Sequence, residues 1–197
     1  MAMEWWALAI PAAAGLGGVI AGAWLTRWRD REERRYTFLR RQLEEFYAPF
    51  CALRDEIRAK GEVRVKVSRA TDADWRASLE GVASPERKTA IAEEKRPTLH
   101  RSIQYDNEQL RTETIPAFRK MLNLFQEKLW LVEESTRGHY PTLVEFVEVW
   151  NRYLAQAVPT ELPSQIGHGE EQLHGLYEDV ERQRGTLRAK LRKGRPR

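Results

Sequence analysis

The sequence predicts an all-α protein in which a single N-terminal transmembrane helix is followed by a cytoplasmic helical bundle. Three observations support this fold class. An uncharged run of 21 residues extends from Trp5 to Leu25. Beyond it, apolar side chains recur at spacings of three and four, which is the period of an amphipathic helix. Prolines and glycines stand near the starts and ends of these runs, where helices begin and stop.

Composition indicates one modest folded domain beside the apolar run. The chain has 197 residues, of which 42% are hydrophobic and 31% charged, with a net charge of +4. These values are typical of globular rather than disordered proteins. Cys51 is the single cysteine, so an intramolecular disulfide is excluded and a reducing compartment is favoured.

The first predicted element is the membrane anchor, residues 1–26. A helix of 21 residues is about 31 Å long, close to the thickness of the hydrocarbon layer. Tryptophans flank it on both sides, as in the aromatic belts of spanning helices: Trp5, Trp6, Trp24 and Trp28. Arginines follow it, beginning with Arg27, Arg29 and Arg31. Because basic residues stay on the cytoplasmic side, we expect the N-terminus outside and the remainder in the cytoplasm, at the plasma membrane.

Two alternatives to a spanning helix stay open. Ala21, Gly22 and Ala23 have the small residues of a signal-peptide cleavage site, but the positive cluster follows the apolar run instead of preceding it. A buried helix of a soluble core is usually shorter than this run. Ala14, Gly18 and Gly22 are spaced by four, a pattern that lets two membrane helices pack closely, so a homo-oligomer through this helix is a further hypothesis.

A juxtamembrane amphipathic helix is predicted over residues 27–61. Its apolar stripe contains Tyr36, Leu39, Leu43, Phe46, Phe50, Leu53 and Ile57. Pro49 removes a backbone donor, which predicts a kink near Phe46, and Gly61 is a plausible stop.

Residues 62–111 are predicted to hold short elements and loops. Glu62 to Val67 alternates charged and apolar residues, which favours one short extended segment. Because no partner strand is visible, a loop or a continued helix is the alternative. Ser84 followed by Pro85 is a helix-start signal, with serine as the cap and proline in the first turn. We expect a break at Pro97.

Residues 112–192 are predicted to form the helical bundle, with residues 193–197 as a basic tail. One stripe contains Ile115, Phe118, Leu122, Phe125, Leu129 and Val132; a second contains Leu143, Phe146, Val147, Trp150 and Leu154; a third contains Leu173, Leu176, Val180, Leu187 and Leu191. Several such stripes joined by short connections are typical of a bundle. The heptad-like runs are too short for an extended coiled coil.

Few residues carry chemistry that a motif makes specific. Glu171 and His174 have the three-residue spacing of carboxylate-bridged metal sites, but no second pair accompanies them. His168 stands near a helix start and is expected to face solvent. Cys51 lies beside Phe50 and is expected to be a buried, inert thiol. We therefore predict no catalytic residues, no cofactor and no strong metal site.

The basic residues suggest contact with lipid. Arg188, Lys190, Arg192 and Lys193 belong to a stretch with six basic residues in ten, and Arg27, Arg29 and Arg31 follow the anchor. Attraction to anionic lipid and a simply solvated helix end are both open, whereas nucleic-acid binding is disfavoured because no recognition motif is present.

The leading functional hypothesis is a membrane-anchored scaffold or regulatory subunit that presents a helical surface to a cytoplasmic protein partner. The first alternative is an effector that oligomerises and perturbs the bilayer. The second is a metal-dependent enzyme built around Glu171 and His174.

Overall fold

A long, uninterrupted helix runs through the protein, and several other helices pack against it. The computed structural model of the chain describes residues 24, 26–159, 161 and 165–194, and it contains no strand within them. Helix α1 covers 26–42, a π-helical turn covers Leu43–Tyr47, and α2 covers Ala48–Leu79. The helix continues without a break from 26 to 79. The all-α fold class is therefore confirmed.

The remaining helices return along this long helix. The structure has α3 at Pro85–Gln109, a π-helical turn at Leu110–Thr114, α4 at Ile115–Lys128 and a 3₁₀ turn at Leu129–Leu131. The short helix α5 covers Glu134–Arg137 and α6 covers Tyr140–Leu154. A 3₁₀ turn at Glu170–Leu173 leads into α7, at His174–Lys193.

Both π-helical turns directly precede a proline that opens the next α-helix. Pro49 follows the turn at Leu43–Tyr47, and Pro116 follows the turn at Leu110–Thr114. A proline has no N–H and its ring crowds the preceding turn, so a locally wider turn accommodates it without ending the helix. The disturbance predicted near Phe46 thus takes the form of a π-helical turn.

The prediction of an extended segment at Glu62 to Val67 is wrong. These residues lie inside α2, which also passes through Gly61 without stopping. The alternation of charged and apolar residues reflects three valines that stay exposed on a helix, not the two faces of a strand. Apart from the connection at 80–84, the rest of 62–111 is also helical, because α3 begins at Pro85 and continues through Pro97. The start signal at Ser84 is confirmed, since its side chain accepts a hydrogen bond from the Arg87 N–H.

The hydrophobic core lies where α2, α4, α6 and α7 meet. It is rich in aromatic rings: Phe46, Tyr47 and Phe125 are fully buried, and the Phe46 and Phe125 ring centroids are 5.0 Å apart. The predicted stripes supply most of the other buried residues, including Phe50, Ile57, Ile115, Phe118, Leu143, Phe146, Leu176, Val180 and Leu187. The last buried residue of α2 is Ile57, so the final two-thirds of this helix lies outside the core.

The predicted membrane anchor falls almost entirely outside the described residues, and so do Ala14, Gly18 and Gly22. In the part of the chain that the structure describes, no helix is both long enough and apolar enough to span a membrane.

Candidate functional site

The first described turns of α1 form a stalk, here defined as residues 26–35, that no other helix in the described part of the chain covers. Every residue of the stalk is exposed. Trp24 and Trp28, one turn apart, are 68% and 54% exposed. Exposure of a large aromatic ring to water is unfavourable. The headgroup layer of a membrane accommodates both the apolar ring of a tryptophan and its N–H group.

Helix α7 lies antiparallel to the long helix and brings the C-terminal basic residues to the base of the stalk. The Cys51 thiol is 3.6 Å from a Glu181 carboxylate oxygen, and the Arg54 guanidinium lies 4.6 Å from the centre of the Tyr177 ring. At the far end of α7, a methyl group added to Gly194 would lie 3.7 Å from the Tyr36 ring. The two helices therefore lie side by side over most of the length of α7.

This packing collects the predicted lipid-facing residues at one end of the molecule. All seven are exposed: Arg27, Arg29, Arg31, Arg188, Lys190, Arg192 and Lys193. Residues 26–37 and 184–194 together contain ten basic and three acidic side chains, although the whole chain has a net charge of only +4. The rest of the protein is consequently net acidic, and this basic end is a strongly polarised feature of the surface.

An aromatic and ionic cluster fastens the part of the long helix that follows the stalk to the bundle. The Arg41 guanidinium lies 4.7 Å from the centre of the Trp130 ring. The ring centroids of Phe38 and Trp130 are 6.2 Å apart. Glu45 accepts hydrogen bonds from Arg41 at 2.7 Å and from Lys128 at 3.0 Å. These hydrogen bonds, that from Arg41 first, lower the pKa of Glu45 to about 2. Glu45 is thereby held charged between two cations.

A buried polar network joins the long helix to α5 and α7. Asp179 is 2% exposed and accepts hydrogen bonds from Thr136, Ser135 and Arg182. The Tyr47 hydroxyl is 3.1 Å from the Thr136 hydroxyl. It also accepts a hydrogen bond from the backbone N–H of Glu133, the residue before α5. Every residue of this network has a hydrogen-bond partner, so the network fixes the position of α7 beside the long helix. Sequence spacing gave no signal for it, because its members are about 40 to 90 residues apart.

Cys51 is 2% exposed, in agreement with its predicted burial. Burial raises the pKa of its thiol to about 11. Because the thiolate is the reactive form, Cys51 is a poor nucleophile at neutral pH.

The histidine expected to face solvent is buried instead. His168 is 2% exposed, stacks on the Phe146 ring at 5.2 Å and has its Nε2 3.2 Å from the Phe146 carbonyl oxygen. The preceding Gly167 has a φ of +60°, a conformation that side chains with a Cβ rarely adopt, and it turns the chain inward at this point. The prediction failed because a ring in a loop can fold back onto a helix without leaving a periodic signal.

Glu171 and His174 do not come together with further metal ligands. Glu171 lies in the 3₁₀ turn before α7 and His174 is the first residue of α7, and both are exposed. Within the described residues, no group of three or more histidine, cysteine or acidic side chains is arranged to hold a metal ion.

The opposite part of the long helix forms a second uncovered feature, the arm, defined as Arg58 to Leu79 of α2 together with α3. No residue of α3 is buried, and every residue from 62 to 70 is exposed. Apolar side chains are nevertheless present on its surface: Val63, Val65, Val67, Leu99, Ile103 and Tyr105 are 43–66% exposed. A helix that buries no apolar face usually needs another surface to cover it.

Polar contacts join the two helices of the arm. Lys95 forms an ion pair with Asp74, and at the base Lys60 lies 2.7 Å from a Glu113 carboxylate oxygen. Between the helices lies a groove of about 480 Å³ lined by Arg64, Val65, Ser68, Arg69 and Asp106. Because exposed ion pairs contribute little, these polar contacts add little to the stability of the arm.

No relative helps to assign these features. No family model matches the sequence, and neither a curated protein nor a solved structure matches it. Function is therefore inferred from the geometry of the chain itself.

Proposed function

We propose that this protein is a membrane-tethered, non-enzymatic adaptor. In this proposal the N-terminal apolar segment spans the plasma membrane, the stalk lies at its cytoplasmic face, and the arm is offered to a cytoplasmic protein partner. One observation carries the proposal: a single unbroken helix joins an uncovered basic stalk to an uncovered arm, and the core residues described in this helix lie between them.

The basic end supports the membrane side of this proposal. Trp24 and Trp28 stand at its outermost described part, immediately beside arginines, which is the arrangement found where a helix leaves the hydrocarbon layer. A basic residue near an anionic leaflet contributes about 1 kcal/mol, so several together would hold this end against the membrane surface. The seven basic side chains predicted to face lipid all lie at this end.

The arm supports the adaptor side. Ordering one residue costs about 1–2 kcal/mol in backbone entropy. No side chain of α3 is buried, so burial does not offset this cost. A helical hairpin of this length with exposed valines, Leu99 and Ile103 is therefore better explained as a surface for another protein than as a support for the core.

Membrane insertion of the full chain tests this proposal. The chain is expressed with a reporter fused after Arg197, and membranes are washed with alkaline carbonate. We expect the chain to stay in the membrane pellet with the reporter on the cytoplasmic side. Recovery in the soluble fraction without detergent, or a reporter active outside the cytoplasm, would contradict the proposal.

A pair of charge-reversal variants tests the role of the stalk. The stalk variant carries Arg27→Glu, Arg29→Glu and Arg31→Glu, and the matched arm variant carries Arg64→Glu, Lys66→Glu and Arg69→Glu. Both change the net charge equally at exposed helical positions. Because basic flanks determine orientation, only the stalk variant should lower the fraction of chains with a cytoplasmic reporter. Equal effects of the two variants would show that the stalk has no special role.

A further inference from the structure

The chemistry of the arm indicates which partner it fits. We infer that the exposed part of α2 between Arg58 and Ala70 binds an acidic amphipathic helix of another protein. This inference rests on the proposed adaptor role of the arm and specifies its partner.

Unpaired cations are the first observation. Residues 58–69 contain five basic side chains and one acidic one, Glu62. Arg58 pairs with Asp55 and Lys60 pairs with Glu56 and Glu113, so these two charges are already compensated. Arg64, Lys66 and Arg69 form no ion pair with any residue in the described part of the chain. Three adjacent cations are thus available to a partner.

The position of the valines is the second observation. Val63 and Val67 are one helical turn apart and form an apolar row on α2, and they are 59% and 51% exposed. At 100° per residue, Arg64 lies on one side of this row and Lys66 on the other. An apolar row with charged flanks matches a second helix that carries its own apolar row between carboxylates, as in the charged edges of a coiled coil.

The same charges disfavour the other occupants. If α2 of a second copy lay along this row, Arg64 and Lys66 would face cations of the other chain, and like charges across a helix pair are destabilising. A nucleic acid would use the cations through its phosphates but would leave Val63 and Val67 in water. An acidic helix satisfies both the cations and the valines.

A designed probe tests this inference directly. The full chain is placed in nanodiscs of uncharged lipid, and fluorescence anisotropy follows a labelled 21-residue peptide with leucine and glutamate in heptad register. A leucine–lysine peptide of the same pattern is the control probe. We expect saturable, salt-sensitive binding of the leucine–glutamate peptide and at least tenfold weaker binding of the leucine–lysine peptide.

Three variants locate the binding surface. Arg64→Gln with Lys66→Gln and Arg69→Gln should weaken binding at least tenfold, and so should Val63→Ser with Val67→Ser. The matched control neutralises three exposed cations of α3, Arg87→Gln, Lys88→Gln and Arg96→Gln, and should change affinity less than twofold. Because all these positions are exposed, the helical content measured by circular dichroism should stay unchanged in each variant.

Four results would overturn the inference. They are no binding of the leucine–glutamate peptide, equal binding of both peptides, tighter binding of a 20-nucleotide RNA, or a two-chain mass that the valine substitutions convert to one chain. Reconstitution in nanodiscs does not depend on orientation in a cell. Failure of the peptide to bind therefore leaves the reporter topology untouched, and a reversed topology leaves peptide binding interpretable. A chain recovered in the soluble fraction is tested for peptide binding without nanodiscs.

Discussion

Replacing Asp179 by alanine is expected to loosen the attachment of α7, because this carboxylate is the centre of the buried polar network. It is 2% exposed and lies beside the hydroxyl groups of Thr136 and Ser135 and the guanidinium of Arg182. Hydrogen bonds to a buried charged group contribute about 1.5–3 kcal/mol each. Thr136 is fully buried and contributes in that range, whereas Ser135 is exposed and contributes less.

The salt bridge between Asp179 and Arg182 adds little to the expected loss of stability. Arg182 is 63% exposed, and exposed ion pairs contribute about 0–1 kcal/mol. We therefore expect Asp179→Ala to lower the free energy of unfolding by about 3 kcal/mol. Asp179→Asn keeps an acceptor of the same shape and should cost less, about 1–2 kcal/mol.

Equilibrium unfolding of the full chain in detergent, followed by circular dichroism at 222 nm in urea, measures these differences. The matched control is Glu178→Ala, which removes one exposed carboxylate from the neighbouring position of the same helix. The control should change stability by less than about 0.5 kcal/mol. A cost below 1 kcal/mol for Asp179→Ala, or equal costs for the two variants, would refute the role assigned to the network.

Three further predictions concern reactivity, acid sensitivity and packing. With a pKa of about 11, Cys51 should be roughly one part in a thousand thiolate at pH 8, so Ellman's reagent should react with it far more slowly in the folded chain than in urea. Because the pKa of Glu45 is lowered to about 2, its stabilising contribution is complete above the unfolded value of about 4.3 and is lost as pH falls toward 2. Glu45→Gln should remove that part of the acid dependence in urea midpoints measured from pH 5 to pH 2. Gly175→Leu should destabilise α7 by about 1–3 kcal/mol, because its Cβ would lie 3.2 Å from the His139 ring. A Cβ at Gly185 would meet nothing within 4 Å beyond the backbone of its own helix, so Gly185→Leu should be tolerated in thermal unfolding.

The core of this protein could be predicted from periodicity because its helices are amphipathic where they pack. Phe46, Phe50 and Ile57 lie on one stripe in the sequence and are all buried in the structure. The helix start at Ser84 is equally readable, because a cap residue followed by a first-turn proline has a local cause.

The arm was missed because it lacks that signal. Residues 62–67 alternate apolar and charged side chains, and only the continuing backbone of α2 shows that they are helical. Asp179 and His168 were also out of reach, since their burial depends on contacts with Thr136 and Phe146, far away in the sequence. Long-range contacts of polar groups leave no period that a single sequence displays.

The most direct test of the account places one probe at each uncovered part of the long helix. Full-length chains carrying Cys51→Ser and either Arg31→Cys or Glu80→Cys are labelled with bimane and reconstituted in vesicles whose headgroups bear a nitroxide quencher. Arg31 lies in the stalk, and Glu80 is the exposed residue directly after the last residue of α2, at the tip of the arm. We predict strong quenching at position 31 and little at position 80. Equal quenching at both positions, or stronger quenching at position 80, would contradict a stalk that meets the membrane and an arm that extends away from it.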